Sequence, residues 1–206
     1  MRPLPVGDHG LLIELDDGED VGALHAELLR RRAAGALTAT GEIVPAARTV
    51  LVTGIPDPAA LAAELPRWQV PPLAPTARQV VEVPVRYDGP DLAEVAELWG
   101  VTEREVARIH SGTDFRVAFC GFAPGFGYLT GLAEHRRVPR RATPRTRVPV
   151  GSVGLAGTYT GVYPRPSPGG WLLIGTTDVV LWSPEREPAA LLTPGAGVRF
   201  VPETAV

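Results

Sequence analysis

Gly151-Ser152-Val153-Gly154-Leu155 is a short apolar run hemmed in by turn residues, and the second half of the chain repeats that form in Val117-Ala118-Phe119, Trp171-Leu172-Leu173-Ile174 and Val179-Val180-Leu181-Trp182. Short apolar runs alternating with glycine- and proline-rich turns read as strands. From Phe115 onward the expected architecture is a closed or nearly closed β-barrel.

Working outward, Val80-Val81-Glu82-Val83-Pro84-Val85 reads as a further strand. Asp91 with Glu94, and Thr102 with Glu105, each match a capping box, which predicts helices over Leu92 to Trp99 and Glu103 to His110. Upstream, Pro66 and Pro71-Pro72-Leu73-Ala74-Pro75 favour an extended connector, which puts a domain boundary between residues 76 and 77. In domain 1–76, Leu11-Leu12-Ile13-Glu14-Leu15 is a strand, and Asp20 to Arg32 is a helix with Val21, Leu24, Leu28 and Leu29 at helical spacing. Glu42-Ile43-Val44 and Thr49-Val50-Leu51-Val52-Thr53 are two more strands, and a second helix covers Asp57 to Leu65, with Pro58 in its first turn. The class is α+β: a small N-terminal α/β sandwich, then the barrel domain 77–206.

With 206 residues, 45% of them hydrophobic, the chain can bury one sizeable core or two small ones. A net charge of -3 argues against nucleic acid as a partner. All 20 basic residues are arginine. Schiff-base lysine, lysine general-base and Walker-lysine chemistry are therefore excluded, and a bound phosphate would rely on arginine forks, backbone N–H groups or a metal. The single Cys120 permits no internal disulfide, and neither a signal-peptide run nor a membrane-length apolar stretch is present, so a cytoplasmic protein is expected.

Three stretches carry candidate chemistry. In Gly121 to Leu129 the backbone must bend around Phe122, Phe126 and Tyr128, which could wall a pocket or plug a barrel corner. Between Pro139 and Gly154, Arg140, Arg141, Arg145 and Arg147 crowd eight positions. On an extended strand Arg145 and Arg147 would share a face and could clamp one carboxylate or phosphate; solvated surface arginines are the competing reading. The stretch Thr158 to Gly175 joins hydroxyl donors to a Ser-Pro-Gly-Gly turn. His110 could exchange protons with a substrate or simply complement a helix C-terminus. His9, His25, His110 and His135 are too scattered for a metal site, and Cys120 ends an apolar run as inert thiols do.

Phe119 to Leu129, Ala142 to Val153 and Ser167-Pro168-Gly169-Gly170-Trp171 together resemble the family of 5-oxoprolinase B subunits, also known as the KipI or allophanate hydrolase subunit 1 family, and one portion of the urea carboxylase carboxyltransferase domain. Thr158-Tyr159 stands where many members read Gly-Gln. The resemblance implies a cyclophilin-like β-barrel and a heteromeric enzyme that opens 5-oxo-L-proline to L-glutamate with ATP, accompanied by Mg, in complex with the 5-oxoprolinase A and C subunits. From their own chemistry, His110 and Arg145 are the candidate catalytic residues. Arg140, Arg141, Arg147, Ser152, Thr160, Tyr128 and Phe126 are then expected around the substrate and its anionic groups. Some members inhibit a sensor histidine kinase, so a binding module with a histidine kinase partner is the alternative, and an inactive scaffold for an ATP-binding partner is a third.

Overall fold

The computed structural model describes residues 1–38, 41–72 and 80–203, and the chain divides into two compact units, Met1–Ala77 and Arg78–Val206. The proline connector expected from Pro71 to Pro75 falls largely outside the described residues, as does the boundary drawn between 76 and 77.

The first unit is a four-stranded antiparallel sheet covered by two helices. Its elements are β1 (Arg2–Val6), β2 (Gly10–Glu14), α1 (Gly18–Ala33), β3 (Ile43–Pro45), β4 (Thr49–Thr53) and α2 (Pro58–Glu64), with strand order β1-β2-β4-β3. Leu11 and Ile13 of β2 and Val50 and Val52 of β4 alternate onto one face, where they meet Val21, Leu24 and Leu28 of α1 and Leu61 of α2. Both helices start on an aspartate: Asp17 accepts from Asp20 N–H at 2.8 Å and Asp57 from Ala60 N–H at 2.9 Å, with Pro58 in the first turn. Strand β1 has no counterpart among the strands expected from sequence, because Pro3 and Pro5 argue against one. Among the described residues it pairs with β2 alone, and an edge strand tolerates residues that cannot donate.

The second unit is built on β5 (Val81–Val85), α3 (Leu92–Trp99), α4 (Glu103–Ser111), β6 (Phe115–Cys120), β7 (Gly127–Thr130), β8 (Arg145–Val148), β9 (Ser152–Ala156), β10 (Tyr159–Val162), β11 (Ser167–Gly169), β12 (Leu172–Thr176) and β13 (Gly197–Pro202). Seven strands form one sheet in the order β12-β9-β10-β7-β6-β13-β5, antiparallel except for β13 with β5. The two ends of that sheet meet. Arg86 N–H donates to Thr176 O at 2.9 Å and Thr176 N–H to Arg86 O at 2.8 Å, so the sheet closes on itself as a barrel.

Inward-facing Val83, Val117, Leu129, Val153, Leu155, Val162, Leu172, Ile174 and Phe200 fill the interior, joined by Val95 and Trp99 of α3 and Val106 of α4. Thr102 and Glu105 form the full capping box of α4. The stretch Val179 to Trp182 is not a strand: only Trp182 makes an isolated bridge, to Ala190. Outside the barrel, β8 and β11 pair as a separate ribbon, and a second cluster of Phe126, Tyr163, Trp171 and Leu173 lies apart from the interior.

Candidate functional site

Asp91 organises the arginines. It stands at the start of α3, where its spacing to Glu94 fits a capping box, yet its side chain makes no cap bond. Oδ1 instead accepts from Arg141 Nη1 at 3.0 Å and from Arg145 Nη2 at 2.7 Å, while Oδ2 accepts from the Leu173 backbone N–H at 2.7 Å. The Asp91 N–H returns a bond to Leu173 O at 2.9 Å. Charge-assisted bonds to two guanidinium groups are stronger than a bond to a helix N–H, so the carboxylate turns from its own helix to the barrel wall. Gly89 permits this approach, since a Cβ there would run into the backbone of Leu173 and Ile174.

Two guanidinium groups share one carboxylate that is only 4% exposed, which leaves the trio with one net positive charge. Arg141 Nε and Arg145 Nη1 are buried and have no hydrogen-bond partner among the described residues. A buried donor without an acceptor is costly, and here two sit in one positively charged cluster.

The pair that meets is therefore Arg141 with Arg145, not Arg145 with Arg147. Strict alternation fails in β8, because its pairing with β11 carries a register shift between Ser167, opposite Val148, and Gly169, opposite Arg145. With that irregularity Arg145 is half-buried while Arg147 is exposed. Arg140 is also exposed, and its charge acts on the nearby phenols: burial pushes both Tyr128 and Tyr163 up, and Arg140 opposes the shift.

An aromatic wall accompanies the arginines. Phe126, 2% exposed, meets Trp171 at 5.3 Å, Tyr163 at 5.4 Å and Tyr128 at 5.0 Å between centroids, all edge-on. Tyr128 is half-buried and stacks on Phe119 at 4.4 Å. Phe122, in a left-handed backbone conformation at φ 67°, stays exposed over Phe126 and Tyr163.

His110, Thr160 and Ser152 lie elsewhere. His110 is fully buried, between Phe115 and Phe200 at 5.0 and 4.4 Å. Thr160 Oγ1 donates to Gly154 O at 3.1 Å, so it accepts from His110 Nε2–H at 3.0 Å, and His110 Nδ1 is left to accept from the Tyr87 hydroxyl at 2.8 Å. Burial lowers the His110 pKa to about 3. A neutral, fully bonded imidazole without a solvent-facing surface holds the barrel interior together and is not placed to exchange protons with a substrate. The Thr160 hydroxyl is likewise committed, and Ser152 is buried at 2% exposure, so neither faces solvent.

At the β9–β10 turn the positive φ falls on Gly157, which lets Thr158 replace a glycine without strain. Cys120 donates to Leu192 O at 3.3 Å, and burial pushes its thiol up to about 11, which suits an inert residue. Among the described residues no group of three His, Cys, Asp or Glu could hold a metal ion, and no helix is long and apolar enough to cross a membrane. Asp91 and Tyr87 were both missed as site or network residues by sequence reasoning. The acidic residue's local spacing already had a sufficient explanation, and no one-dimensional signal joins Asp91 to Arg141 and Arg145, 50 and 54 positions away.

The family model described as carboxyltransferase domain, subdomain C and D, matches residues 1–192. The B subunit of 5-oxoprolinase from Escherichia coli O157:H7 is 45% identical over 171 residues, covering 79% of this chain and 78% of that protein. Among solved structures, TTHA0988 superposes with a TM-score of 0.79 at 35% identity over 96% of this chain, which spans only 41% of that longer protein. The Kluyveromyces lactis urea carboxylase shares the fold, with a TM-score of 0.71 at 19% identity over 98% of this chain and 22% of its own. Matched along nearly its whole length by the family model, and aligned to most of the Escherichia coli protein, the chain belongs to the family of 5-oxoprolinase B subunits, built on carboxyltransferase subdomains C and D.

Proposed function

We propose that this chain is the B subunit of a heteromeric, ATP-dependent 5-oxoprolinase and that its arginine cluster holds an anionic group of the reacting molecules. The observation that carries the reading is the pair of buried, unpartnered donors, Arg141 Nε and Arg145 Nη1, in a cluster with one net positive charge. Family membership supports the substrate class. A lactam is a poor electrophile; bound ATP, with Mg2+ among its phosphates, would supply a phosphoryl group to the lactam oxygen, and two waters then account for glutamate, ADP and phosphate as products. In this chain Arg141 and Arg145 would bind the anion, Arg140 would add an exposed positive charge, and Tyr128 with Phe126 would shape the apolar side of the site. With no lysine in the sequence, guanidinium forks are this chain's side-chain means of gripping phosphate or carboxylate.

The A and C subunits would complete the enzyme, and the isolated chain should turn over little substrate. Co-expression with these two partners and an assay of 5-oxoproline-dependent ATP hydrolysis tests this. Activity should appear only in the mixture. Replacing Arg145 by Ala should then slow turnover by roughly a hundredfold, the usual consequence of removing one donor to developing charge, worth about 3 kcal/mol. A mixture that hydrolyses no ATP in response to 5-oxoproline overturns the assignment, and wild-type turnover in the Arg145→Ala complex removes the arginine from it.

A further inference from the structure

We propose that Asp91 is the positioning residue of this site, a buried carboxylate that fixes Arg141 and Arg145 against the barrel wall and trims their combined charge. The proposal rests on the arginine-cluster reading above and goes one step further, to a residue that neither family membership nor motif spacing singles out.

Three donors converge on its two oxygens. Arg141 Nη1 and Arg145 Nη2 share Oδ1, and the Leu173 N–H takes Oδ2. A carboxylate can accept all three, whereas an amide cannot, because one of its two atoms is itself a donor. Asp91 is tied to β12 through both its side chain and its own N–H. The two guanidinium groups are thereby referenced to the barrel strand, although they are borne by the segment of Arg141 and by β8. Arg145 retains 22% side-chain exposure and Arg141 33%, so the cluster is open to a ligand while its anchor, at 4%, is not. With one nitrogen of each arginine committed to Asp91, Arg141 Nε and Arg145 Nη1 are buried donors with no partner among the described residues. The charge follows the same logic: two cations and one anion leave a single positive charge, which favours an anion and still lets it go.

Asp91→Asn and Asp91→Glu separate orientation from charge. In the reconstituted complex, Asp91→Asn should lower kcat by roughly a hundredfold, as small misplacements of binding groups do. Because the cluster's charge rises from one to two, sulfate should inhibit that variant at a concentration several-fold lower than it inhibits wild type. Asp91→Glu keeps the charge but pushes the arginines outward by a methylene, so kcat should fall while sulfate inhibition stays at the wild-type concentration. A purely structural aspartate would lower the melting temperature and move neither kcat per folded complex nor the sulfate response, and that result in either variant overturns the proposal. Arg145→Ala is the companion measurement. If Asp91 variants turn over normally while Arg145→Ala is slow, the arginine site stands and the positioning role falls; if Arg145→Ala is also normal, the site itself was misread and the proposal goes with it.

Discussion

Acid should destabilise this protein through one histidine. His110 has an ordinary pKa of 6.5 when the chain is unfolded and about 3 when it is folded, with burial as the cause. The folded state therefore refuses a proton that the unfolded state accepts, and stability falls as pH drops below about 6.5 and goes on falling until about pH 3. Each unit of that interval is worth about 1.4 kcal/mol, so going from about pH 7.5 to about pH 5 should remove about 2 kcal/mol through this residue. The charged form would be buried among neutral partners. Nε2–H already donates to Thr160, whose own proton goes to Gly154 O, and Nδ1 is filled by the Tyr87 hydroxyl, with phenyl rings of Phe115 and Phe200 on either side. Other groups titrate over the same range, so the measurement is a difference. Urea unfolding of wild type and of His110→Gln, which keeps a donor for Thr160 but cannot titrate, should give free energies that converge by about 2 kcal/mol over this range. Parallel curves would refute the buried neutral imidazole.

The capping box of α4 should be worth a typical cap, so Thr102→Ala should lose about 1 kcal/mol in the same urea assay. Gly89→Ala should cost about 1–3 kcal/mol or more, since its methyl would meet the β12 backbone, which cannot swing aside; a melting temperature at the wild-type value would contradict that close approach. Cys120, with its thiol pushed up to about 11, should react with iodoacetamide at about pH 8 roughly a hundredfold more slowly in the native protein than in urea, followed by mass spectrometry.

The sequence reveals elements whose information is local and conceals those whose information is not. Helix α3 occupies the residues that the Asp91 and Glu94 spacing predicts, with Val95, Ala96 and Trp99 facing the core and Gly100 ending it in the left-handed conformation. Strands β6, β9 and β12 are visible as apolar runs for the same reason. Strand β1 is invisible because two prolines are tolerated only through its place at an edge, which is a property of the sheet and not of the segment. Val179 to Trp182 errs in the opposite direction. Its β-branched run is a good local strand, but Leu181 is buried while Val180 and Trp182 stay exposed, and among the described residues its strand-like pairing stops at one bridge.

The candidate site divides along the same line. That arginines between residues 140 and 147 gather into one cluster was legible from their crowding, but which two do so was not. Alternation favoured Arg145 with Arg147, and a register irregularity opposite Ser167 and Gly169 broke it. The partner of the pair was further still from view, because Asp91 obeys two rules at once: its position satisfies the helix-start pattern with Glu94, and its carboxylate serves the arginines. A local rule that is satisfied on paper conceals a tertiary bond that is stronger, since two charge-assisted bonds outweigh one cap. The failed cap is thus informative in itself. An aspartate that stands at a helix start and leaves its own helix N–H groups unserved has been drawn away by something worth more, and here that is a pair of guanidinium groups whose remaining buried donors have no partner among the described residues.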